Sequence, residues 1–272
     1  MRKQASRRSI APRRTRTAQK KAAPYELYYW PSIQGRGEFV RLALEEAGAP
    51  YVDVARGKGD DDDGPGMTAM LRLLEGKAVE RPPFAPPFLR SGELIIGQTA
   101  NILLFLGARH GLAPAAEGGR LWANQLQLTI ADLVAEAHDT HHPIGGSLYY
   151  DDQIPEAKRS AALFRKERIP KFLGYFERVL HANRSGGRSG GDHLIGARVS
   201  YPDLSLFQAV AGLTYAFPRA MAALAGDYPR VMALHARVAE RPRIAKYLGS
   251  SRRIAFNEDG IFRHYEALDQ GR

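Results

Sequence analysis

The chain has 272 residues, 44% of them apolar or aromatic, which is enough for one large or two ordinary folded domains. It contains no cysteine, and this excludes structural disulfides, thiolate metal sites and a protein-borne thiol nucleophile. The net charge of +10 suggests a nucleic-acid partner until it is located: residues 1–24 carry nine Lys and Arg and no acid, and the remainder holds 30 basic against 29 acidic residues.

Residues 1–24 have no aromatic side chain and few apolar ones, so they cannot contribute a core. They lack the apolar run of a secretory signal. Their make-up is compatible with an organelle presequence or a phosphate-binding arm, but we read them as a disordered basic extension. No apolar run anywhere is long enough to span a bilayer.

Residues 25–30 (YELYYW) read as an aromatic-rich strand, broken by Pro31-Ser32-Ile33-Gln34-Gly35. Residues 36–48 carry Phe39, Val40, Leu42, Ala43 and Ala47 at helical spacing, with Gly48 as a stop. Residues 51–54 form a second short strand. A β-α-β unit of this length implies parallel pairing through a right-handed crossover. The acidic run at 60–63 is a solvated loop without the ligand spacing of a Ca²⁺ site. Residues 67–74 are a short helix, with Leu73 and Leu74 expected in the core.

The densest signal lies in residues 82–107. Pro86-Pro87 sets an extended entry. Residues 88–90 and 94–96 pair as a hairpin around Ser91-Gly92-Glu93. Gly97-Gln98-Thr99 then opens a helix carrying Ile102, Leu103, Phe105 and Leu106, and its free N–H groups make a corner suited to a carboxylate. Residues 108–119 are turn-rich and read as a linker.

Beyond residue 120 the chain is nearly all helix. Helices are expected over residues 121–138 and over 157–182, the latter kinked at Pro170. A Gly-rich loop follows at 184–192. Ser200 and Asp203 form a capping box for the next helix, in which each satisfies the other's free N–H. Further helices are expected over 228–239 and 243–248, and an irregular tail runs to Tyr265.

This order, with Arg36-x-x-x-x-Arg41, Pro87, Gln98-Thr99, Ile130-Ala131-Asp132-Leu133 and Ser200-x-x-Asp203, resembles the cytosolic glutathione transferases over roughly residues 24–250. The alpha and sigma classes look closest. The resemblance implies an α/β thioredoxin-like N-terminal domain at 25–107, a linker at 108–119 and an all-α C-terminal domain at 120–272. It also implies glutathione as co-substrate, a small hydrophobic electrophile as partner, a homodimer, detoxification chemistry and a cytoplasmic location. Neither a membrane nor a nucleic acid is expected as a partner.

Residue by residue, the resemblance implies that Tyr29 donates its hydroxyl to the glutathione sulfur. The other reading is that Tyr29 is a core aromatic. Arg36 either supports the sulfur end electrostatically or pairs structurally with Glu38 or another acid nearby. A cis bond is implied before Pro87, and the backbone of Pro86 would pair with the cysteinyl residue. Gln98 and Thr99 would hold the γ-glutamyl carboxylate. Lys77 stands in for a glycyl-carboxylate contact. Asp132 would reach the ligand amine across a dimer, or else is a buried acid paired within its own chain.

The chain departs from the family in carrying one extra residue between Tyr29 and Arg36, and Ala85 where relatives often have Gln. These departures leave open a non-catalytic binding or scaffold relative. Isomerase or peroxidase chemistry at the same site is also open. Other matches carry less. Residues 187–191 fit a nucleophile-elbow pattern but lie between helices. Asn183-Arg184-Ser185 is a glycosylation triplet without a secretory route. His138, His141 and His142 cluster at a helix end, where capping is expected rather than a metal.

Overall fold

The structure is a computed structural model describing residues 23–57, 66–76, 79–186 and 191–270. The extension at 1–22, the acidic run, Lys77 and the nucleophile-elbow pattern lie outside the described residues, the last except for Gly191.

Four strands form one mixed sheet in the order β2-β1-β3-β4: β1 (Tyr25–Tyr28), β2 (Tyr51–Asp53), β3 (Phe88–Ser91) and β4 (Leu94–Gly97). β1 and β2 are parallel, and β1/β3 and β3/β4 are antiparallel. The parallel pair is joined by α1 (Gly37–Ala47), and β4 leads directly into α3 (Thr99–His110). Strand alternation then sorts the side chains. Leu27 and Leu89 face α1 and α3, whereas Tyr28 and Phe88 face the opposite side, with Val54 and Met70 of α2 (Met67–Leu74). Met70 is the fully buried residue of α2; Leu73 and Leu74, expected in the core, are only half-buried. The Pro86–Pro87 bond is cis.

The rest is helical: α4 (Glu117–Asp139), α5 (Ile154–Leu163), α6 (Ile169–Arg184), α7 (Tyr201–Ala216), α8 (Pro218–Leu224), α9 (Pro229–Ala239) and α10 (Pro242–Leu248). The small sheet with its helices, followed by an all-helical part, is the thioredoxin-like plus all-α arrangement. The expected linker is shorter than its turn-rich sequence implied. α3 runs on to His110 and α4 starts at Glu117, because Ala and Gly next to an apolar periodic stretch are absorbed into helix ends. The break near Pro170 comes as a wide π turn at Phe164–Arg168, just ahead of the proline. Pro170 has no N–H for the carbonyl of Lys166, and the loosened turn accommodates that loss.

α7 is buried on every face and packs against α1, α4 and α9, so one apolar core runs from the sheet into the helices. Its capping box is in place. Asp203 Oδ2 accepts the Ser200 N–H at 2.7 Å, and Oδ1 accepts the Leu194 N–H at 2.7 Å, which ties the preceding loop to the helix start.

Candidate active site

A cavity of about 390 Å³ opens where the turn after β1, the start of α3 and the middle of α4 meet. It is lined by Arg36, Gln98 and Thr99, with Asn101, Asn124 and Gln127 adding polar groups, and its apolar walls include Leu104 and Val134.

Gln98 is the only non-glycine residue with positive φ among the described residues, at +66°. A left-handed L-residue is strained by roughly 1–2 kcal/mol. The strain aims the first turn of α3 into the cavity, where the N–H groups of a helix start favour an anion. Thr99 Oγ1 is buried there with no hydrogen-bond partner. A buried hydroxyl left unpaired costs roughly 1–3 kcal/mol, so this corner favours a group that can hydrogen-bond to Thr99. Gln127, only 2% exposed, adds a second such group, its Oε1 also unpartnered. Sequence reading missed Gln127. It sits on the buried face of α4 among Ala123, Leu126 and Ile130, and a polar residue in that stripe was the available signal.

Tyr29 lies behind Arg36 rather than on the cavity wall, and it is 4% exposed. Its hydroxyl oxygen accepts the Arg36 backbone N–H at 2.8 Å. That bond occupies an acceptor lone pair and leaves the hydroxyl proton free to donate elsewhere. Burial pushes the phenol's pKa up, opposed by the Arg36 N–H and by the charges of Arg36 and Arg41, so the group stays protonated at neutral pH. The turn is flattened onto the ring. A Cβ on Gly35 (φ +42°) would stand 2.0 Å from Tyr29 Oη, and one on Gly37 would stand 2.5 Å from Cγ. Tyr28 is committed elsewhere: its hydroxyl donates to Glu26 at 2.6 Å, and burial and that carboxylate push its pKa up to about 12.

Behind the turn sits an ion cluster whose centre, Arg41 and Glu38, is fully buried. Arg41 donates to Asp53 at 2.7 Å and to Glu38 at 3.3 Å, and its guanidinium lies 5.8 Å from the Tyr29 ring centroid. Glu38 is therefore committed to Arg41 and Arg253. Arg36 has no carboxylate partner among the described residues, so the structural pairing with Glu38 weighed for it is not formed.

Pro86 and Pro87 precede β3 and do not line this cavity. Asp132 is exposed on α4, one residue from the lining Ala131, and has no ion pair among the described residues. It is not the buried, self-paired acid weighed as its alternative reading. His138, His141 and His142 pack ring on ring, 4.7 to 5.2 Å apart, beside the C-terminal segment. His141 Nε2 is 2.8 Å from the Ile261 carbonyl, and burial pushes its pKa down to about 3. Among the described residues no group of His, Cys, Asp or Glu converges on a metal position, and no helix is long and apolar enough to cross a membrane.

Residues 138–251 match the family model described as Glutathione S-transferase, C-terminal domain. A glutathione S-transferase of Plasmodium falciparum is 22% identical over 223 residues, covering 82% of this chain and 93% of the relative. Glutathione S-transferase P 1 of Xenopus laevis is 26% identical, with 84% and 93% coverage. Among solved structures, a Pi-class glutathione S-transferase of Onchocerca volvulus superposes with a TM-score of 0.61 at 21% identity, covering 83% of this chain and 92% of that one. Over more than four fifths of its length the chain is similar to glutathione S-transferases, and residues 138–251 carry their C-terminal domain. The frog and Onchocerca proteins carry P- and Pi-class names, so these comparisons do not single out the alpha or sigma classes within the glutathione S-transferases.

Proposed function

We propose that this protein is a glutathione transferase that holds glutathione as the thiolate and directs it at the carbon of a small apolar electrophile. The observation that carries the reading is the gathering of Arg36, Gln98 and Thr99 around one cavity, with the Thr99 hydroxyl buried and unpartnered. In this reading the γ-glutamyl carboxylate fills that corner, taking the Thr99 hydroxyl, the Gln98 amide and the N–H groups of the α3 start. The backbone of Pro86 pairs with the cysteinyl residue as an added strand. Tyr29 donates to the sulfur and Arg36 adds positive charge beside it. Residues 25–107 are then the glutathione-binding domain, and residues from 120 onward supply the electrophile side. A cytoplasmic, detoxifying role accompanies this reading.

The electrophile is expected between the turn after Tyr29, the end of α4 and the C-terminal segment. Contacts between these segments support that expectation: Asn257 donates to the Ser32 carbonyl at 2.9 Å, and His141 meets Ile261. The test is calorimetric titration with glutathione, followed by conjugation to an aryl halide. Binding and turnover are the expected result, and absence of binding removes the proposal. A second reading, a relative that binds glutathione without turnover, is favoured by the position of Tyr29 beneath Gly35 and off the cavity wall. It predicts a binding isotherm with no product and no shift of the bound thiol's titration.

The exposed, unpaired Asp132 supports a homodimer in which this carboxylate reaches the ligand ammonium of the partner subunit. Leu121 and Leu128, exposed on the same helix, give that face apolar area to bury. Asp132→Ala is expected to weaken glutathione binding several-fold while leaving the melting temperature near that of the wild type. Scattering that shows a fully active monomer defeats the dimer reading.

A further inference from the structure

The turn that carries Arg36 has little structure of its own, yet its backbone must sit 2.8 Å from the Tyr29 hydroxyl. What holds it is a chain of side chains that never touches the cavity. Gln34, at the middle of the turn, is 5% exposed. Its side-chain oxygen accepts from Gln208 Nε2 of α7 at 2.8 Å, and its side-chain nitrogen donates to the Ile254 carbonyl. Gln208 is fully buried, and its own oxygen accepts from Arg253 Nη2 at 2.9 Å. Arg253 also donates to Glu38 in the first turn of α1. Glu38 is bound in addition by Tyr247 at 2.7 Å and by Arg41. Arg41 closes the circuit on the Gln34 carbonyl at 3.4 Å, where the Glu38 N–H also bonds at 3.0 Å.

The chain has a direction fixed at both ends. Arg253 can only donate, and the Ile254 carbonyl can only accept. Each glutamine between them must therefore point its oxygen toward Arg253 and its nitrogen toward Ile254. Reversing either amide would bring two oxygens or two N–H groups face to face in a buried setting, where an unsatisfied polar group is most costly.

We propose that Gln208 and Arg253 are positioning residues for the Tyr29 hydroxyl: through Gln34 they set the turn so that the Arg36 N–H caps Tyr29 Oη and the hydroxyl proton is left for the sulfur. The proposal rests on the reading of Tyr29 as the thiol's donor. It makes α7 and the C-terminal segment, both outside the glutathione corner, determinants of how acidic the bound thiol is.

Gln208→Glu tests the direction of the chain at nearly constant shape. A carboxylate still accepts from Arg253 but offers Gln34 only an acceptor. The turn should relax, and the titration of bound glutathione, followed by thiolate absorbance, should shift upward by roughly half a unit or more. Each half unit corresponds to a drop of up to about threefold in kcat at neutral pH, while glutathione affinity, held by Gln98 and Thr99, stays near wild type. Arg253→Met enters the same chain from its partly exposed end, should shift the titration the same way, and serves if the buried variant does not fold.

Tyr29→Phe is run alongside. If it moves the titration and neither other variant does, the positioning role is overturned and the Tyr29 reading survives. If the two variants lose affinity with an unmoved titration, their role is merely structural and the proposal also fails. If Tyr29→Phe itself leaves the titration in place, the underlying reading falls and this inference with it.

Discussion

Tyr29→Phe should leave glutathione bound and strip it of its acidity. The ring and its packing beneath Gly35 and Gly37 are unchanged by the substitution, so folding and affinity should hold. On the proposed function, the missing hydroxyl is the donor to the thiolate. A hydrogen bond to a charged group is worth roughly 1.5–3 kcal/mol. At about 1.4 kcal/mol per unit, its loss raises the bound thiol's pKa by roughly one to two units, toward the free value of about 8.5. Raising the pKa of an acid lowers its ionised fraction at any pH below it. Conjugation at neutral pH should therefore fall roughly ten- to thirtyfold, the free thiol being ionised to about 3% there, and recover at alkaline pH. Tyr28→Phe should be silent, because that hydroxyl faces the other side of the sheet and is spent on Glu26. Ser32→Ala should be silent too, since Ser32 contributes its carbonyl to Asn257. A titration moved by Tyr28→Phe or Ser32→Ala but not by Tyr29→Phe would show that the wrong hydroxyl has been assigned.

The largest loss of stability is expected at Arg41. Burial works against its charge, but Glu38 and Asp53 more than offset that and hold its pKa above the ordinary value. Arg41→Ala leaves Glu38 buried beside a void and Asp53 without its closest cation. Breaking one side of a buried ion pair costs about 3–5 kcal/mol. Urea unfolding should show the transition moved to clearly lower denaturant. Arg36→Ala, which removes a guanidinium with no carboxylate partner among the described residues, should change stability by no more than about 0.5 kcal/mol. Equal midpoints for Arg41→Ala and the wild type would mean that the cluster contributes nothing to folding.

Much of this site could be read from residues whose chemistry is local. Pro-Pro before a hairpin, Gln98-Thr99 at a helix start, and Ser200 three residues ahead of Asp203 each specify their geometry within a few positions. α8 escaped notice because only Phe217 separates it from α7, and the apolar spacing runs through the break. The circuit around Gln34 was illegible for a different reason. Its partners are Gln208 and the carbonyl of Ile254, both more than 170 residues away. A glutamine in a turn and another in an apolar helix each read as ordinary until the fold brings them together. The burial of Tyr29 behind Arg36 could not be read either, because it depends on the glycines at 35 and 37 lying flat on the ring.

That flatness restricts how such an enzyme could be diversified. Positions 35 and 37 admit no side chain without expelling the phenol, so the turn that covers Tyr29 is closed to variation. Libraries aimed at new electrophiles would waste every variant made there. Selectable change must enter elsewhere, from the end of α4 or from those parts of the C-terminal segment outside the contacts that Arg253 and Ile254 make with Gln208 and Gln34. On the proposed function, divergence of acceptor range is then confined to positions outside both the glycine turn and the circuit around Gln34.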